Sequence, residues 1–249
     1  MNLYLDIETI PAQRPDVLAE ISGELQAKLA TDIAAIRHPG NIKKPESITE
    51  WMATEAPAKA QALRDSFDAD VDAAYRKTGL DGAFGQVCVI GVAFDDNDPL
   101  ILSMPDFKDE DGLLDRFGGY MQGFVLPADA FSTLVIGHNV SAFDLRFLVQ
   151  RHIVNGYRPP AFIGRAAIAK PWESDKVFDT MVQWAGVGNR ISLDKLCRAL
   201  SIPTPKGDIT GATVWDAVRD GRINEVAEYC ARDVAATRAV YKRLTFQTV

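Results

Sequence analysis

Two carboxylates two positions apart, Asp6 and Glu8, stand in LYLDIET at residues 3–9, a stretch that otherwise reads as buried strand. Strand side chains alternate between faces, so Leu3, Leu5 and Ile7 should point one way and Tyr4, Asp6 and Glu8 the other. The acids would then lie roughly 6 to 7 Å apart along the strand. Like charges held that close repel unless a cation or a proton is shared between them. The pair is therefore equipped to hold a divalent metal ion, although an isolated Asp-x-Glu is more often the solvated end of a strand.

Two later stretches add acids. In IGHNVSAFDLRFL (136–148) a strand gives way to a helix, which places Asp144 in the first helical turn, where the helix dipole favours a carboxylate. Alone, Asp144 is explained by that dipole and Asn139 by a turn or a cap. In EYCARD (228–233), Tyr229 and Asp233 are four apart on one helix face, about 6 Å along the axis, a common surface spacing.

The elements that must position these residues follow in order. After the first strand, residues 15–38 carry Leu18, Ile21, Leu25, Leu29, Ile33 and Ile36 as one apolar helical stripe, ended by Pro39-Gly40. A basic loop, 41–45, precedes SITE (47–50), which has capping-box spacing for a second helix. Leu63, Phe67, Val71 and Tyr75 mark a third helix, ending near Gly79. Residues 11–85 thus read as a helical insertion. The runs 86–94 and 99–104, joined by Asp95-Asp96-Asn97-Asp98, read as an antiparallel hairpin. A helix at 111–124, a strand at 133–137, a helix reaching 154 and capped by Ser141 or a neighbour, and a strand at 176–181 (KVFDTM) come next. A helix at 192–200, a Pro/Gly-rich loop at 202–211 and a long helix at 222–244 complete the chain. Three antiparallel strands followed by strands alternating with helices predict an α/β fold: a ribonuclease H-like mixed sheet flanked by helices, with the insertion after its first strand. Residues 1–249 are expected to form a single domain.

The 249 residues, 47% apolar and 24% charged, suit a globular protein with a large core. No apolar run has the length of a membrane span and no leader pattern opens the chain, so no membrane partner and a cytoplasmic location are expected. Cys88, Cys197 and Cys230 are far apart in apolar surroundings and read as core residues. The net charge of −7 argues against a broad basic face that grips long nucleic acid. It leaves room for a small metal-dependent site, because bound cations reverse the charge that a phosphate meets. Arg37, Lys43 and Lys44 form the densest basic feature before the hairpin and Lys206 lies in the Pro/Gly-rich loop. Each is equally readable as a strand-guiding or a solvated charge.

Taken together, Asp6-x-Glu8, then Asn139-x-x-x-Phe143-Asp144, then Tyr229-x-x-x-Asp233 resemble the three exonuclease motifs of the DEDD superfamily. The chain looks most like the proofreading exonuclease domain of family B DNA polymerases, and leaves residues 11–85 outside the likeness. Glu228 and Tyr229 stand where the two branches of the superfamily differ, and Tyr229 matches the tyrosine (DEDDy) branch. His138 and His152 are not at the histidine-branch position and are expected in a turn and on a helix surface.

The resemblance implies a metal-dependent 3′–5′ exonuclease that hydrolyses single-stranded nucleic acid, DNA favoured, from the 3′ end to nucleoside 5′-monophosphates. Such cleavage needs an activated water and a neutralised phosphate and leaving oxygen, which two divalent ions about 3.5 to 4 Å apart supply. Mg²⁺ and Mn²⁺ prefer oxygen ligands, in keeping with a set of acids without Cys or His. By the same resemblance, Asp6 bridges both ions, Glu8 and Asp233 complete the site of the water-activating ion, and Asp144 holds the second. Tyr229 orients the attacking water, Thr9 and Ile10 contact the terminal nucleotide, and Asn139 and Phe143 line its pocket; Lys206, from its place in the Pro/Gly-rich loop and not from the resemblance, is a candidate to touch the strand. With no polymerase sequence after Leu244, the expectation is a free-standing enzyme or one meeting a polymerase or other replication or repair protein in trans. The alternatives are an RNA exonuclease of the same fold, since nothing in the sequence reads a 2′-hydroxyl, and a silent nucleic-acid-binding or scaffold module. The presence of all four acids weighs against the silent module.

Overall fold

The computed structural model describes residues 1–105, 108–125, 132–170, 173, 175–205 and 207–247. The chain divides into two compact units, residues 12–78 and the remainder.

The larger unit is built on a five-stranded sheet in the order β3-β2-β1-β4-β5. Its strands are β1 (Asn2–Ile10), β2 (Gln86–Phe94), β3 (Leu100–Ser103), β4 (Leu134–Gly137) and β5 (Val177–Asp179). The first strand in sequence is central in space. It runs antiparallel to β2 and parallel to β4, and β5 extends the parallel half. The expected hairpin is β2–β3. Alternation along β1 holds: Leu3, Leu5 and Ile7 join the main core with Leu113, Phe117 and Leu148, while Tyr4 packs with Ala93, Ile136, Val234 and Tyr241. Between Glu8 and Thr9 the register slips, with partners passing from Val89 to Val87. A β-bulge of this kind re-aims the side chains that follow.

The helices of this unit are α4 (Glu110–Phe124), α5 (Asp144–Val154), α6 (Ala161–Ala167), α7 (Thr180–Ala185), α8 (Leu193–Ala199), α9 (Val214–Arg219) and α10 (Ile223–Leu244). The last of these lays Val226, Cys230, Asp233, Val234, Thr237 and Tyr241 on the sheet as one buried stripe at helical spacing. Tyr241 meets the rings of Tyr4 and Phe178 edge-on at 5.8 and 4.9 Å. Gly91 permits that packing, because a Cβ there would stand 2.7 Å from the Cys230 Sγ and 3.0 Å from a Val234 methyl. A buried ion pair ties the other face together. Arg151 donates to both oxygens of Glu110 at 2.9 and 2.6 Å and to the carbonyls of Gly82 and Ala83, while Glu110 also accepts the Val87 N–H.

Several local expectations change. The 176–181 strand is shortened to Val177–Asp179, because Asp179 accepts the N–H groups of Met181 and Val182 and starts α7. The helices α6, α7 and α9 went unread, being too short to show a period. The N-cap of α5 is Phe143, two positions past Ser141, and it makes no side-chain cap bond. His152 is buried rather than at a helix surface: it continues the stripe of Leu145 and Leu148, bonds the Leu148 carbonyl at 2.7 Å and meets the Phe117 ring edge-on.

The smaller unit holds α1 (Pro15–Ala34), α2 (Pro45–Asp65) and α3 (Phe67–Lys77). Here α2 begins at Pro45 rather than at the SITE capping box, because the fixed φ of proline suits the first helical position. The predicted third helix is broken at Ser66. The α1 stripe is only partly covered, with Val17 the buried residue of that helix and Leu18 42% exposed. Lys43 and Lys44 are exposed, whereas Arg37 donates to the carbonyls of Ala34 and Ile36 at the end of α1.

Candidate active site

The acids arrive from three elements. Asp6 and Glu8 come from the central strand, Asp144 from the first residue of α5 and Asp233 from the sheet-facing stripe of α10. Glu8, Asp144 and Asp233 are 7, 4 and 9% exposed. The Asp144 Oδ1 accepts the backbone N–H of Ile7 at 3.1 Å, which anchors α5 between the two strand acids. Asp6 pairs with Gly91, and the space that a Gly91 side chain would take is filled by the Cys230 Sγ and Val234 of α10.

Two carboxylate oxygens, Asp6 Oδ2 and Asp233 Oδ1, are shielded from solvent without a hydrogen-bond partner. A buried polar atom left so is costly unless something absent from the protein satisfies it. The charges of the same group point the same way. Burial first, and then Glu8, Asp144 and Asp233, push the Asp6 carboxyl well above the ordinary range. Burial first, and then Asp233 and Asp144, do the same to Glu8. Burial raises Asp144 to about 7 and Asp233 to about 6, the latter opposed by the hydrogen bond from Tyr229. A divalent ion removes both difficulties at once, donating to the orphaned oxygens and cancelling their repulsion, so the donor set fits hard cations.

Tyr229 is half-buried and hydrogen-bonds Asp233 one turn away. Burial, reinforced by Asp233, Glu8 and Asp6, raises its phenol far above the usual value, so the group stays protonated and can donate. The adjoining Cys230 is buried, as expected of a core cysteine, yet its Sγ also belongs to the site. It lies within 4.8 Å of ligand oxygens of Asp6 and Glu8, and faces the Asp6 carbonyl at 3.6 Å. The sequence signal was its i, i+3 spacing to Asp233. Cys88 likewise donates to the Glu8 carbonyl at 3.3 Å.

The residues expected to touch substrate are placed less uniformly. Asn139 and Phe143 are half-buried on the turn between β4 and α5, Asn139 with a left-handed φ of 63°. The Phe143 ring packs 5.4 Å from that of Phe147. The Thr9 hydroxyl donates to the Gly79 carbonyl at 2.7 Å. Ile10, turned inward after the bulge, is fully buried in the core, which leaves its backbone for any outside contact. Lys206 lies outside the described residues.

A family described as a predicted 3′–5′ exonuclease related to the exonuclease domain of PolB matches residues 83–248, more than half of the chain. The chain belongs to this exonuclease family. The match includes Asp144, Tyr229 and Asp233, while Asp6 and Glu8 precede it. The fold resembles that in the structure of the family B DNA polymerase from the hyperthermophilic archaeon Pyrobaculum calidifontis. The TM-score is 0.51 and the identity 16%, over 66% of this chain and 22% of that one. At that identity the likeness is one of fold, the ribonuclease H-like mixed sheet flanked by helices, and this family member spans less than a quarter of the polymerase's length. No curated protein matches the chain. No helix among the described residues is long and apolar enough to cross a membrane.

Proposed function

We propose that the chain is a metal-dependent exonuclease of the tyrosine branch that hydrolyses single-stranded nucleic acid, DNA in preference, from the 3′ end to nucleoside 5′-monophosphates. The observation that carries this reading is the set of buried carboxylates from β1, α5 and α10 with unpartnered oxygens at Asp6 and Asp233. Asp6, Glu8, Asp144 and Asp233 would hold two Mg²⁺ or Mn²⁺ ions, which when bound supply an acidified water and neutralise the phosphate. Tyr229, kept protonated by its surroundings, orients the water through its hydroxyl. The backbone at Thr9 and Ile10 meets the terminal nucleotide, and Asn139 and Phe143 flank it. The helical segment of residues 11–85 is read as an insertion into one exonuclease domain of residues 1–249, and Lys206 as a contact to the strand.

The test is digestion of 3′- and 5′-labelled single strands of DNA and RNA of equal sequence with Mn²⁺, Mg²⁺ or EDTA. Stepwise shortening from the 3′ end to mononucleotides, faster on DNA and abolished by EDTA, is expected. Faster loss of RNA would transfer the reading to an RNA exonuclease, and metal-independent or absent cleavage would overturn it.

A further inference from the structure

Another buried acid adjoins the site and differs from it in one respect. Asp179 ends β5, pairs in register with Gly137 at the end of β4 and is 1% exposed. Its Oδ1 accepts the N–H groups of Asn139, Met181 and Val182 at 2.9, 3.0 and 3.4 Å, and its Oδ2 that of Ser141 at 3.0 Å. Both oxygens are thus engaged by backbone, unlike those of Asp6 and Asp233, so Asp179 is not placed to serve as a ligand. Two of its four donors start α7. The other two lie in the turn that carries Asn139, Phe143 and Asp144.

Thr180 extends the grip. Its Oγ1 lies 2.9 Å from the His138 Nδ1 and 3.2 Å from the Gly137 carbonyl, and the His138 Nε2 lies 2.9 Å from the Ile191 carbonyl. A carbonyl only accepts, so Nε2 carries the hydrogen; burial lowers the His138 pKa and keeps the ring neutral. Nδ1 is then bare, and the single hydrogen of the Thr180 hydroxyl goes to it or to the Gly137 carbonyl, either of which ties Thr180 to the end of β4. The turn so held includes Asn139 in left-handed conformation, which persists only where its surroundings enforce it.

We propose that Asp179, assisted by Thr180, is a positioning residue of the exonuclease site. Its carboxylate fixes the 138–143 turn, so that Asp144 enters α5 within reach of the Ile7 N–H and Phe143 and Asn139 keep a fixed place beside it. The proposal rests on the exonuclease reading above. A displacement of about 1 Å at such a site can cost a hundredfold in rate.

Asp179→Asn keeps one acceptor and turns an N–H₂ group toward a backbone donor, which releases part of the grip. Thr180→Val removes the hydroxyl and keeps the shape. For Asp179→Asn, turnover at saturating Mn²⁺ and substrate should fall ten- to hundredfold with KM changed less than twofold. One Mn²⁺ equivalent should weaken at least tenfold by calorimetry, and the Asn139 and Ser141 amides should exchange faster in metal-free protein. Thr180→Val should fall between it and the wild type, and decides the matter if Asp179→Asn fails to fold. A lowered melting temperature with unchanged turnover per folded molecule and an unchanged Mn²⁺ isotherm would overturn the proposal. If the wild type neither binds Mn²⁺ nor cleaves, the exonuclease reading falls instead; unaltered Asn139 and Ser141 exchange in Asp179→Asn would then remove the grip as well.

Discussion

The backbone N–H of Ile7 donates to the Asp144 Oδ1 at 3.1 Å across 137 positions of sequence. The bond falls between Asp6 and Glu8, so the strand that carries the first two acids also aims the third. The fold and the charge cluster are therefore coupled.

Asp6→Asn removes one charge from a group whose members disfavour one another's ionisation. Cleavage should be lost while the metal-free protein gains about 1 to 2 kcal/mol at pH 8, a rise of about 2 to 8 °C in melting temperature for a chain of this size. Scanning fluorimetry in EDTA reads the gain. A lower melting point with undiminished cleavage would contradict the site.

Stability in EDTA should depend on pH with a definite sign. Asp144 and Asp233 titrate at about 7 and about 6 in the folded chain, against about 3.9 when unfolded, so the folded state binds more protons between those values. Unfolding free energy must then fall as pH rises from about 4 to about 7. The metal-free protein should melt higher at pH 5 than at pH 8, and saturating Mn²⁺ should remove most of the difference. A flat profile in EDTA would show that the acids do not share a buried site.

Tyr229→Phe removes one hydrogen bond and keeps the ring, whereas Asp233→Asn removes a proposed ligand. The first should slow turnover by about one to two decades, corresponding to about 1 to 3 kcal/mol, at every Mn²⁺ concentration. The second should raise the Mn²⁺ concentration needed for half-activity. Full rate in Tyr229→Phe would reduce the tyrosine to a packing residue.

Glu110→Gln leaves the Arg151 guanidinium buried beside a neutral partner. Such a loss costs about 3 to 5 kcal/mol, on the order of 10 °C in melting temperature. Turnover per folded molecule should hold, because the pair touches none of the site's acids. A selective loss of turnover would bring the pair into the mechanism.

The sheet was legible because β1, β2 and β4 are apolar runs with clear turn signals, and the acids were legible because their spacing survives translation into strand and helix. The inward turn of Ile10 was not, since a bulge changes register without changing composition. Periodicity showed that α1 has an apolar face and could not show how much of it is covered. His152 continued an apolar stripe in plain sight, but its polar side chain disguised the burial. Asp179 was hidden inside KVFDTM, where its cap donors and the turn at Asn139 stand far apart in sequence.

Central position and first place in the chain belong to the same strand, β1, while its cover at Asp6 comes from Cys230, 224 residues later. At a synthesis rate of about 5 to 20 residues per second, the acids of β1 wait roughly 10 to 45 s for the helix that completes their cluster. The four acids can therefore come together only once α10 has been made, and no shorter nascent chain holds the complete cluster.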